Sequence, residues 1–586
     1  MRFALPSRRL FSRRLCTLPQ KLNNVSYLYR DRVLKEAQCL LTDYLHSARA
    51  ISFSHADSIV SYAPFSLSAL VSKIPFPPNT AANDFKRFLR RFFSYRPVNE
   101  YEFFFESIGL SPSSSSLAAS TYRSYFLSDD ASLLAAVSAL VGFGFPWRKL
   151  GILYSEDPRI FSVDANSLVA RLCALDARGF HRVCIISICL AFPSALCAEA
   201  DPGGEIDLLF QDLRKAFIDF DLAGLVPEDD VDVFLHTCRK IRVFYDLGAT
   251  KGTMGELMGR NRKIFLELDE ALIAQKLKFF INLGMEAAEA GHFILKHADL
   301  FYLDFDNPTI VMPEYLKCIG LDEDEVNLLC RKYPYVMGKN KLRNLPAMMK
   351  AMNLHKQFLG KILNGNLHYL SSEFVLATSH YTALESGFLQ GLERLKRARK
   401  VQFLDSKLEF MQSIGFGENT LTVKSMSLIN ISAKDQLQER IDCLLQLGIE
   451  YSMLCRMIIA KPIILNQCKE MLHEKVNFLC NDLGFSLEYL DIFPAFLSFD
   501  LENRTKPRYK MLKWLKELGL LKKPFAPATV LANSERRFMV NLYSIHPAAP
   551  KQCSDLCSLE GKLLHRNLSK QLYLAEIEKA SLCHSS

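Results

Sequence analysis

Residues 443–465 read CLLQLGIEYSMLCRMIIAKPIIL, and this stretch holds one complete copy of a pattern that recurs along the chain. Leucines at helical spacing precede Gly448, and a second apolar run follows it as far as Pro462. Glycine fits a helix C-cap because it adopts left-handed backbone angles without strain, and proline stops a helix because it has no N–H to donate. The stretch therefore predicts helix, glycine turn, helix and proline stop.

The same offsets recur from seven glycines, which lie 35 or 36 residues apart where adjacent copies are regular. These anchors are Gly144, Gly179, Gly248, Gly284, Gly320, Gly448 and Gly484. The residues six, nine and seventeen positions after each anchor are apolar. Fourteen positions after it, four copies have proline, whereas Arg262, Ala298 and Ser498 replace it in the others. Such a period is typical of a solenoid, so we predict an all-α superhelical solenoid of roughly 35-residue helical repeats.

The regions outside the regular repeats differ from one another. Residues 1–30 contain seven basic residues and no acid, with apolar residues between them. This is typical of a transit peptide and favours a mitochondrial over a chloroplast location, although a basic nucleic-acid-binding arm is an alternative. Residues 31–130 are predicted to be helical with degenerate repeats. The array is predicted over 131–525, interrupted near 365–400, and residues 526–586 are predicted to be a C-terminal tail.

Charge is distributed unevenly along the chain. Residues 201–330 carry 13 basic and 25 acidic residues, a net charge of −12. Residues 331–586 carry 36 basic and 23 acidic residues, a net charge of +13. A basic half beside an acidic region favours one polyanion-binding face.

Three basic clusters in the C-terminal half contain the candidate nucleic-acid-binding residues. The first is Arg331, Lys332, Lys339, Lys341 and Arg343; the second is Arg394, Lys396, Arg397, Arg399 and Lys400; the third is Arg504, Lys506, Arg508, Lys510, Lys513 and Lys516, followed by Lys522 and Lys523. Rows of lysine and arginine suit a phosphate backbone. One cluster alone is as compatible with a solvated helix face as with a nucleic-acid contact, but three clusters in one half of an array favour nucleic-acid binding. Tyr509 and Trp514, within the third cluster, could either stack on a base or anchor a helix in the core.

The repeats resemble the mitochondrial transcription termination factor family, mTERF. The residues that carry the resemblance include KCIGLDEDEVNLLCRKYPYVM at 317–337 and LGFSLEYLDIFPAFLSFDLENRTKPRYKMLKWL at 483–515, which looks like the last repeats of plant members. The resemblance covers about residues 131–525. It implies two α-helices and a short 3₁₀ helix per repeat, stacked as a left-handed superhelix with a basic concave face. It also implies a nucleic-acid backbone-contact role for Arg504, Lys506 and Arg508.

The function predicted is that of a mitochondrial nucleic-acid-binding regulator without catalysis. Its implied partner is organellar DNA or RNA, and its role would be transcription termination or control, splicing or ribosome assembly. Proteins of the organellar transcription or RNA-processing machinery are possible further partners. One alternative is a protein-interaction scaffold that uses the acidic region 201–330 and binds no nucleic acid. A pentatricopeptide-type RNA reader shares the period but lacks this interval from glycine to proline.

The sequence contains few features that would indicate an enzyme, a cofactor site, a metal site or a membrane span. The nucleotide-binding and hydrolase signatures that we sought do not occur, and no apolar run is long enough to cross a bilayer. Cys553 and Cys557 lack the second ligand pair of a zinc site, and Asp304 and Asp306 are predicted to lie in a coil after a repeat helix. If the third cluster binds phosphates, reversing the charge of Arg504, Lys506 and Arg508 should weaken binding without changing thermal stability.

Overall fold

The structure is a computed structural model that describes residues 22, 24–77, 84–197, 204–227, 230–307, 309–371, 382–397, 403–431, 433–521 and 527–549. The chain forms two compact units. The first comprises residues 1–278 and 286–301, and the second comprises residues 279–285 and 302–586. The predicted transit peptide lies outside the described residues, except for 22 and 24–30.

The first unit is helical throughout its described residues. Its helices are α1 (Arg30–Ser47), α2 (Phe53–Ser61), α3 (Pro64–Ser72), α4 (Phe85–Tyr95), α5 (Glu100–Ser107), α6 (Pro112–Ser120), α7 (Ala131–Phe143), α8 (Leu150–Glu156), α9 (Ala165–Asp176), α10 (Arg182–Ala191), α11 (Glu205–Arg214), α12 (Val231–Asp246), α13 (Gly255–Arg260), α14 (Arg262–Glu267), α15 (Glu270–Leu283), whose last residues belong to the second unit, and α16 (Ala287–Lys296). Short 3₁₀ helices follow α8 (Pro158–Ser162), α10 (Pro193–Leu196) and α16 (Ala298–Tyr302).

The described residues of the second unit are also helical, apart from one short ribbon. Its helices are α17 (Met312–Cys318), α18 (Glu323–Lys332), α19 (Leu345–Ala351), α20 (His355–Leu363), α21 (Thr382–Arg397), α22 (Leu404–Ser413), α23 (Thr420–Leu428), α24 (Lys434–Gln446), α25 (Tyr451–Ala460), α26 (Lys469–Asn477), α27 (Tyr489–Ile492), α28 (Lys506–Glu517), α29 (Pro527–Ala532) and α30 (Glu535–Ile545). The ribbon pairs β1 (Thr309–Val311) with β2 (Lys339–Lys341) in antiparallel register, with Ile310 opposite Asn340.

The repeat that contains Gly448 has the predicted local structure. Gly448 follows α24 with a φ of 93°, and its N–H donates to the Leu445 carbonyl oxygen at 3.0 Å. The N–H of Ile449 donates to the Leu444 carbonyl oxygen at 3.3 Å, which completes a glycine C-cap. After α25, Pro462 begins a 3₁₀ helix that ends at Asn466. All seven anchor glycines have a positive φ, between 70° and 117°.

The residues at the repeated apolar positions are buried in the core, except that burial at the ninth position varies between copies. The residues six and seventeen positions after the seven anchors are all buried, at no more than 6% exposure. At the ninth position Leu153, Ile188 and Met457 are buried, whereas the residues of the other four copies are half-buried. Positions six and nine lie 60° apart around a helix, so the ninth lies towards the edge of the buried face.

The last copy of the repeat is shorter than the sequence offsets indicate. Helix α27 has only four residues, and the next 3₁₀ helix begins at Pro494 and ends at Ser498. Pro494 therefore begins the 3₁₀ helix of this copy, four residues before Ser498, which stands at the offset where other copies have proline. Because Leu497 and Leu501 are still buried, the shortened helix keeps the chain in contact with the core.

In successive repeats of the second unit, first helices pack against first helices and second helices against second helices. Helix α24 packs between α22 and α26, and helix α25 packs between α23 and α27. Each helix pair thus buries its apolar face against the pairs before and after it, which is the arrangement of a solenoid. The prediction of an all-α helical-repeat solenoid is confirmed.

The C-terminal region contains ordered structure that the predicted tail did not include. Helices α29 and α30 pack on α28 around an apolar cluster of buried residues. These are Met511, Leu515, Val530, Phe538, Leu542 and Ala549. Residues 527–549 are therefore part of the folded second unit.

Candidate nucleic-acid interface

The third basic cluster lies on α28, which has two distinct faces. Pro507 is at the start of the helix, where its missing N–H costs nothing, and a π-helical segment (Leu501–Thr505) precedes it. Met511 and Leu515 face the apolar cluster. Four lysines lie together on a face turned away from that cluster, and we call them the α28 stripe: Lys506, Lys510, Lys513 and Lys516.

Arg508 does not belong to that exposed face. It is 2% exposed, and its Nη1 atom donates to the carbonyl oxygens of Val530 at 2.7 Å and Asn533 at 2.9 Å. Its Nη2 atom pairs with Glu535 Oε2 at 2.6 Å, and the guanidinium lies 4.6 Å from the centre of the Phe538 ring. Arg508 therefore binds α29 and α30 to α28, and in this structure no phosphate can reach it.

Arg504 has a similar role. Its Nη2 atom donates to the carbonyl oxygens of Leu531 at 2.6 Å and Asn533 at 2.9 Å, and its guanidinium lies 4.5 Å from the centre of the Phe499 ring. Burial lowers the pKa of this guanidinium. Both guanidinium groups are engaged with the C-terminal segment that contains α29 and α30. We therefore do not include Arg504 and Arg508 among the residues proposed to contact a nucleic-acid backbone. Lys506 pairs with Glu502 one turn earlier, and that hydrogen bond raises its pKa.

The two aromatic residues of the third cluster are partly buried. Trp514 packs against the apolar cluster of α28, α29 and α30, so it anchors the helix. Tyr509 is half-buried beside Phe478, with ring centres 6.3 Å apart, and burial raises the pKa of its hydroxyl. Neither ring lies open on the α28 stripe.

The second basic cluster lies at the C-terminal end of α21. Arg394, Lys396 and Arg397 are exposed in the last turn, and Lys396 pairs with Glu393 at 3.4 Å. Positive side chains are favoured there by the helix dipole, so part of this charge has a structural explanation. Arg399 and Lys400 lie outside the described residues.

The first basic cluster is divided between an exposed part and a paired part. Arg331 and Lys332 are exposed in the last turn of α18, whose first turn carries the acidic run. Arg343 instead bridges Asp306 at 3.1 Å and Glu409 at 3.9 Å. Lys434 also binds Glu409, at 2.8 Å, and its hydrogen bond holds the pKa of that carboxyl below its usual value.

A further set of basic residues recurs with the repeat, and the sequence analysis missed it. Eight residues before the glycine that ends the first helix, or nine in one copy, a lysine or arginine on that helix donates to a carbonyl oxygen near the end of the same repeat. These glycines are the anchors Gly179, Gly248, Gly448 and Gly484, together with Gly415, which also has a positive φ, of 96°. The pairs are Arg171 with Ala195 at 2.6 Å, Lys240 with Phe265 at 2.9 Å, Lys407 with Ile429 at 2.7 Å, Arg440 with Gln467 at 2.5 Å and Lys475 with Leu497 at 3.0 Å. These cations close the repeats internally. The signal was visible as a basic residue at a fixed offset from glycine.

The spacing of that set has one exception, which has a local cause. Lys475 lies nine residues before Gly484, and a π-helical segment (Phe478–Asp482) lies between them. A π-helical turn takes one residue more than an α-helical turn, so it accommodates the extra residue. The ammonium of Lys475 consequently still reaches the carbonyl oxygen.

Asp304 and Asp306, just before β1, lie in a turn that the Asp304 side chain stabilises. The Asp304 carboxylate accepts hydrogen bonds from the backbone N–H groups of Asp306 at 2.8 Å and Asn307 at 3.1 Å. Within the described residues, no group of three or more His, Cys, Asp or Glu side chains is placed to hold a metal ion, and no helix is both long and apolar enough to cross a membrane. Cys553 and Cys557 lie outside the described residues.

The stacked helix pairs, with their glycine turns and 3₁₀ stops, define the class of this protein as an α-helical repeat protein. The mTERF family model matches residues 235–357 and 393–539. The chain is 40% identical over 540 residues to a protein of Arabidopsis thaliana, "Transcription termination factor MTEF18, mitochondrial", and the match covers 92% of this chain and 95% of that protein. It is 22% identical over 403 residues to "Transcription termination factor MTERF8, chloroplastic" of the same plant, which covers 63% of this chain and 75% of the relative.

The chain belongs to the mTERF family. The resemblance that the sequence suggested is thus confirmed, and the mitochondrial location predicted from the basic N-terminal residues agrees with the location of the relative that spans nearly the whole chain. The two family matches leave out residues 358–392, which overlap the predicted interruption of the array.

Proposed function

We propose that this protein is a mitochondrial regulator of organelle gene expression that binds organellar DNA or RNA through the α28 stripe. The observation that carries the proposal is the placement of Lys506, Lys510, Lys513 and Lys516 on one face of a helix that is fixed from its other side. A row of lysines along a fixed helix suits the regular charges of a phosphate backbone. The names of the relatives, which describe transcription termination factors of organelles, support the regulatory role.

Four exposed residues of the other two clusters extend this proposed interface: Arg331, Lys332, Arg394 and Arg397. They lie in the last turns of α18 and α21, within the same unit as α28. Neither these residues nor the stripe would distinguish one base sequence from another, because a phosphate contact is the same at every base. The proposal is therefore for backbone binding, and it includes both duplex and single-stranded targets.

A binding titration over a range of salt concentrations tests the proposal. The full chain would be titrated against labelled duplex DNA and labelled RNA, with a Lys513→Glu/Lys516→Glu variant in parallel. We expect affinity to fall steeply with rising salt and to be weaker for the variant. A matched control is Lys35→Glu/Lys263→Glu, which reverses two exposed charges in the first unit.

The outcomes separate the two leading functions. Salt-dependent binding that the stripe variant reduces and the control variant retains supports the proposal. Absence of binding to either nucleic acid at low salt would overturn it and favour the scaffold function, in which the acidic region 201–330 contacts proteins. Cross-linking the tagged protein in isolated mitochondria, followed by sequencing of DNA and RNA separately, then identifies the target.

A further inference from the structure

Helix α4, in the first unit, carries a dense basic face that none of the three clusters includes. Its sequence is FKRFLRRFFSY, and Arg96 follows it directly. The helix lies outside both ranges that match the family model. Four of its residues are basic, exposed and confined to one side: Lys86, Arg87, Arg90 and Arg91.

The other side of α4 is already occupied by the protein. Phe85 and Leu89 are buried, at 3% and 0% exposure, and the helix packs on α1. The Phe85 ring also contacts Tyr29, with ring centres 5.8 Å apart, and Phe76 at 5.3 Å. Phe88, Phe92 and Phe93 are half-buried. Most of the apolar side of this amphipathic helix is consequently covered by the protein, while the basic residues and Tyr95 face solvent.

A groove of about 660 Å³ lies between α1 and the end of α4. Both arginine and aromatic side chains line it. The lining residues that matter here are Tyr44, Arg90, Phe93, Tyr95 and Arg96, together with the carboxylate of Asp43. Tyr95 is 80% exposed, whereas Phe93 stacks on Tyr44 with ring centres 6.4 Å apart. The groove therefore combines an open aromatic ring with cations on its rim.

This combination favours one class of ligand. Single-stranded nucleic acid binds where cations follow the backbone and aromatic rings stack with bases. A membrane surface fits less well, because an amphipathic helix binds lipid by burying its apolar face among acyl chains, and here most of that face is covered by the protein. Duplex DNA would meet the charges but leave the open Tyr95 ring without a base to stack on.

We propose that α4 and the adjacent groove form a second nucleic-acid site, specific for single strands, with the phosphates on Arg90, Arg91 and Arg96 and a base on Tyr95. This inference rests on the proposed function in one respect, since it assumes that the chain meets nucleic acid. It places a single-strand site in the first unit, separate from the α28 stripe of the second.

The test measures binding of a labelled single-stranded RNA oligonucleotide of mixed sequence, and of a duplex DNA of equal length, to the full chain. The first variant is Arg90→Gln/Arg91→Gln/Arg96→Gln, and the second is Tyr95→Ala. We expect the triple variant to lower the salt slope for single-stranded RNA by about 2, and Tyr95→Ala to weaken that binding about fivefold or more. Duplex binding should change much less in both variants.

The control is Lys35→Gln/Arg123→Gln/Lys263→Gln, which removes three exposed charges elsewhere in the first unit. Equal loss of single-strand binding in the control and the α4 variant would overturn the site, as would unchanged binding by the α4 variant. If the α28 variant alone loses binding, the inference fails while the proposed function stands. If the wild-type chain binds neither nucleic acid, both fail. Binding of wild type, but not of the α4 variant, to cardiolipin-containing phosphatidylcholine vesicles, with RNA binding unaffected, would replace the inference by a membrane contact.

Discussion

The Nζ atom of Lys475 donates a hydrogen bond to the carbonyl oxygen of Leu497 at 3.0 Å, and the lysine is only 2% exposed. The Gln467 side-chain oxygen accepts a second bond from Nζ at 3.1 Å. Burial lowers the pKa of this ammonium, because the charged form has lost its water. Lys475 thus joins the first helix of its repeat to the 3₁₀ segment at the end. Equivalent cations in four other copies also bind a carbonyl oxygen near the end of the repeat.

Replacing Lys475 by methionine should destabilise the protein. Methionine retains much of the apolar stem but leaves the Leu497 carbonyl without its donor, which costs about 1–3 kcal/mol in the free energy of unfolding. Urea unfolding followed by circular dichroism measures the change. The control is Lys513→Met, at an exposed position, for which we expect a change within about 0.5 kcal/mol. Equal stability of the two variants would show that the buried bond contributes nothing.

Arg508→Met should loosen the C-terminal helices. The variant removes the guanidinium that binds Val530, Asn533 and Glu535, and bonds of this charged kind contribute about 1.5–3 kcal/mol. Limited proteolysis should then cut within residues 527–549 sooner than in the wild type. Normal protease resistance combined with weakened nucleic-acid binding would restore the phosphate-contact role that the sequence suggested for Arg508.

Two glycine substitutions should have opposite effects. Gly448→Ala places a Cβ at a φ of 93° and 3.3 Å from Leu487 Cδ1, so we expect a loss of about 1–2 kcal/mol. Gly360 lies inside α20, and beyond the backbone of its own helix no atom lies within 4 Å of the new Cβ. Gly360→Ala should therefore be neutral or stabilising by up to about 1 kcal/mol. Thermal unfolding of both variants checks the pair. A stable Gly448→Ala protein would contradict the C-cap function of the anchor.

Lys513→Gln/Lys516→Gln should reduce the salt dependence of duplex binding and leave the preference between duplex sequences nearly unchanged. Each phosphate contact contributes about 0.9 to the slope of log K against log salt, so the slope should fall by about 2. Titrations at several salt concentrations with two unrelated duplexes measure both quantities. An unchanged slope, or a loss confined to one duplex, would place the backbone contact elsewhere.

The local repeat was predictable because its determinants are local. Proline fixes φ and glycine permits left-handed backbone angles wherever they occur, and residues at positions six and seventeen show the burial that their spacing predicts. The last copy shows why a fixed offset is insufficient. Helix α27 has only four residues, so proline lies at position 494 rather than at the offset occupied by Ser498.

The candidate site was predictable only in part, because a sequence shows how many charges there are but not which of them face solvent. Lys513 and Arg508 belong to one run of basic residues, yet the first is exposed and the second is buried beneath α29 and α30. The basic face of α4 was overlooked for a related reason. Its arginines are interleaved with phenylalanines, and only the packing of Phe85 and Leu89 shows that the basic side is the one left outside.

The sequence by itself determined the helical repeat, its period and its family, since each depends on residue types at fixed spacing along the chain. The tertiary structure alone decided which cations bind carbonyl oxygens within the fold and which remain for a ligand. The physical reason is that a charged side chain costs free energy when it is buried without partners. Its role is therefore set by the oxygen atoms that other segments bring near it. Those segments lie 27 residues away for Arg440 and Arg508, and 37 residues away for Arg343, which binds Asp306.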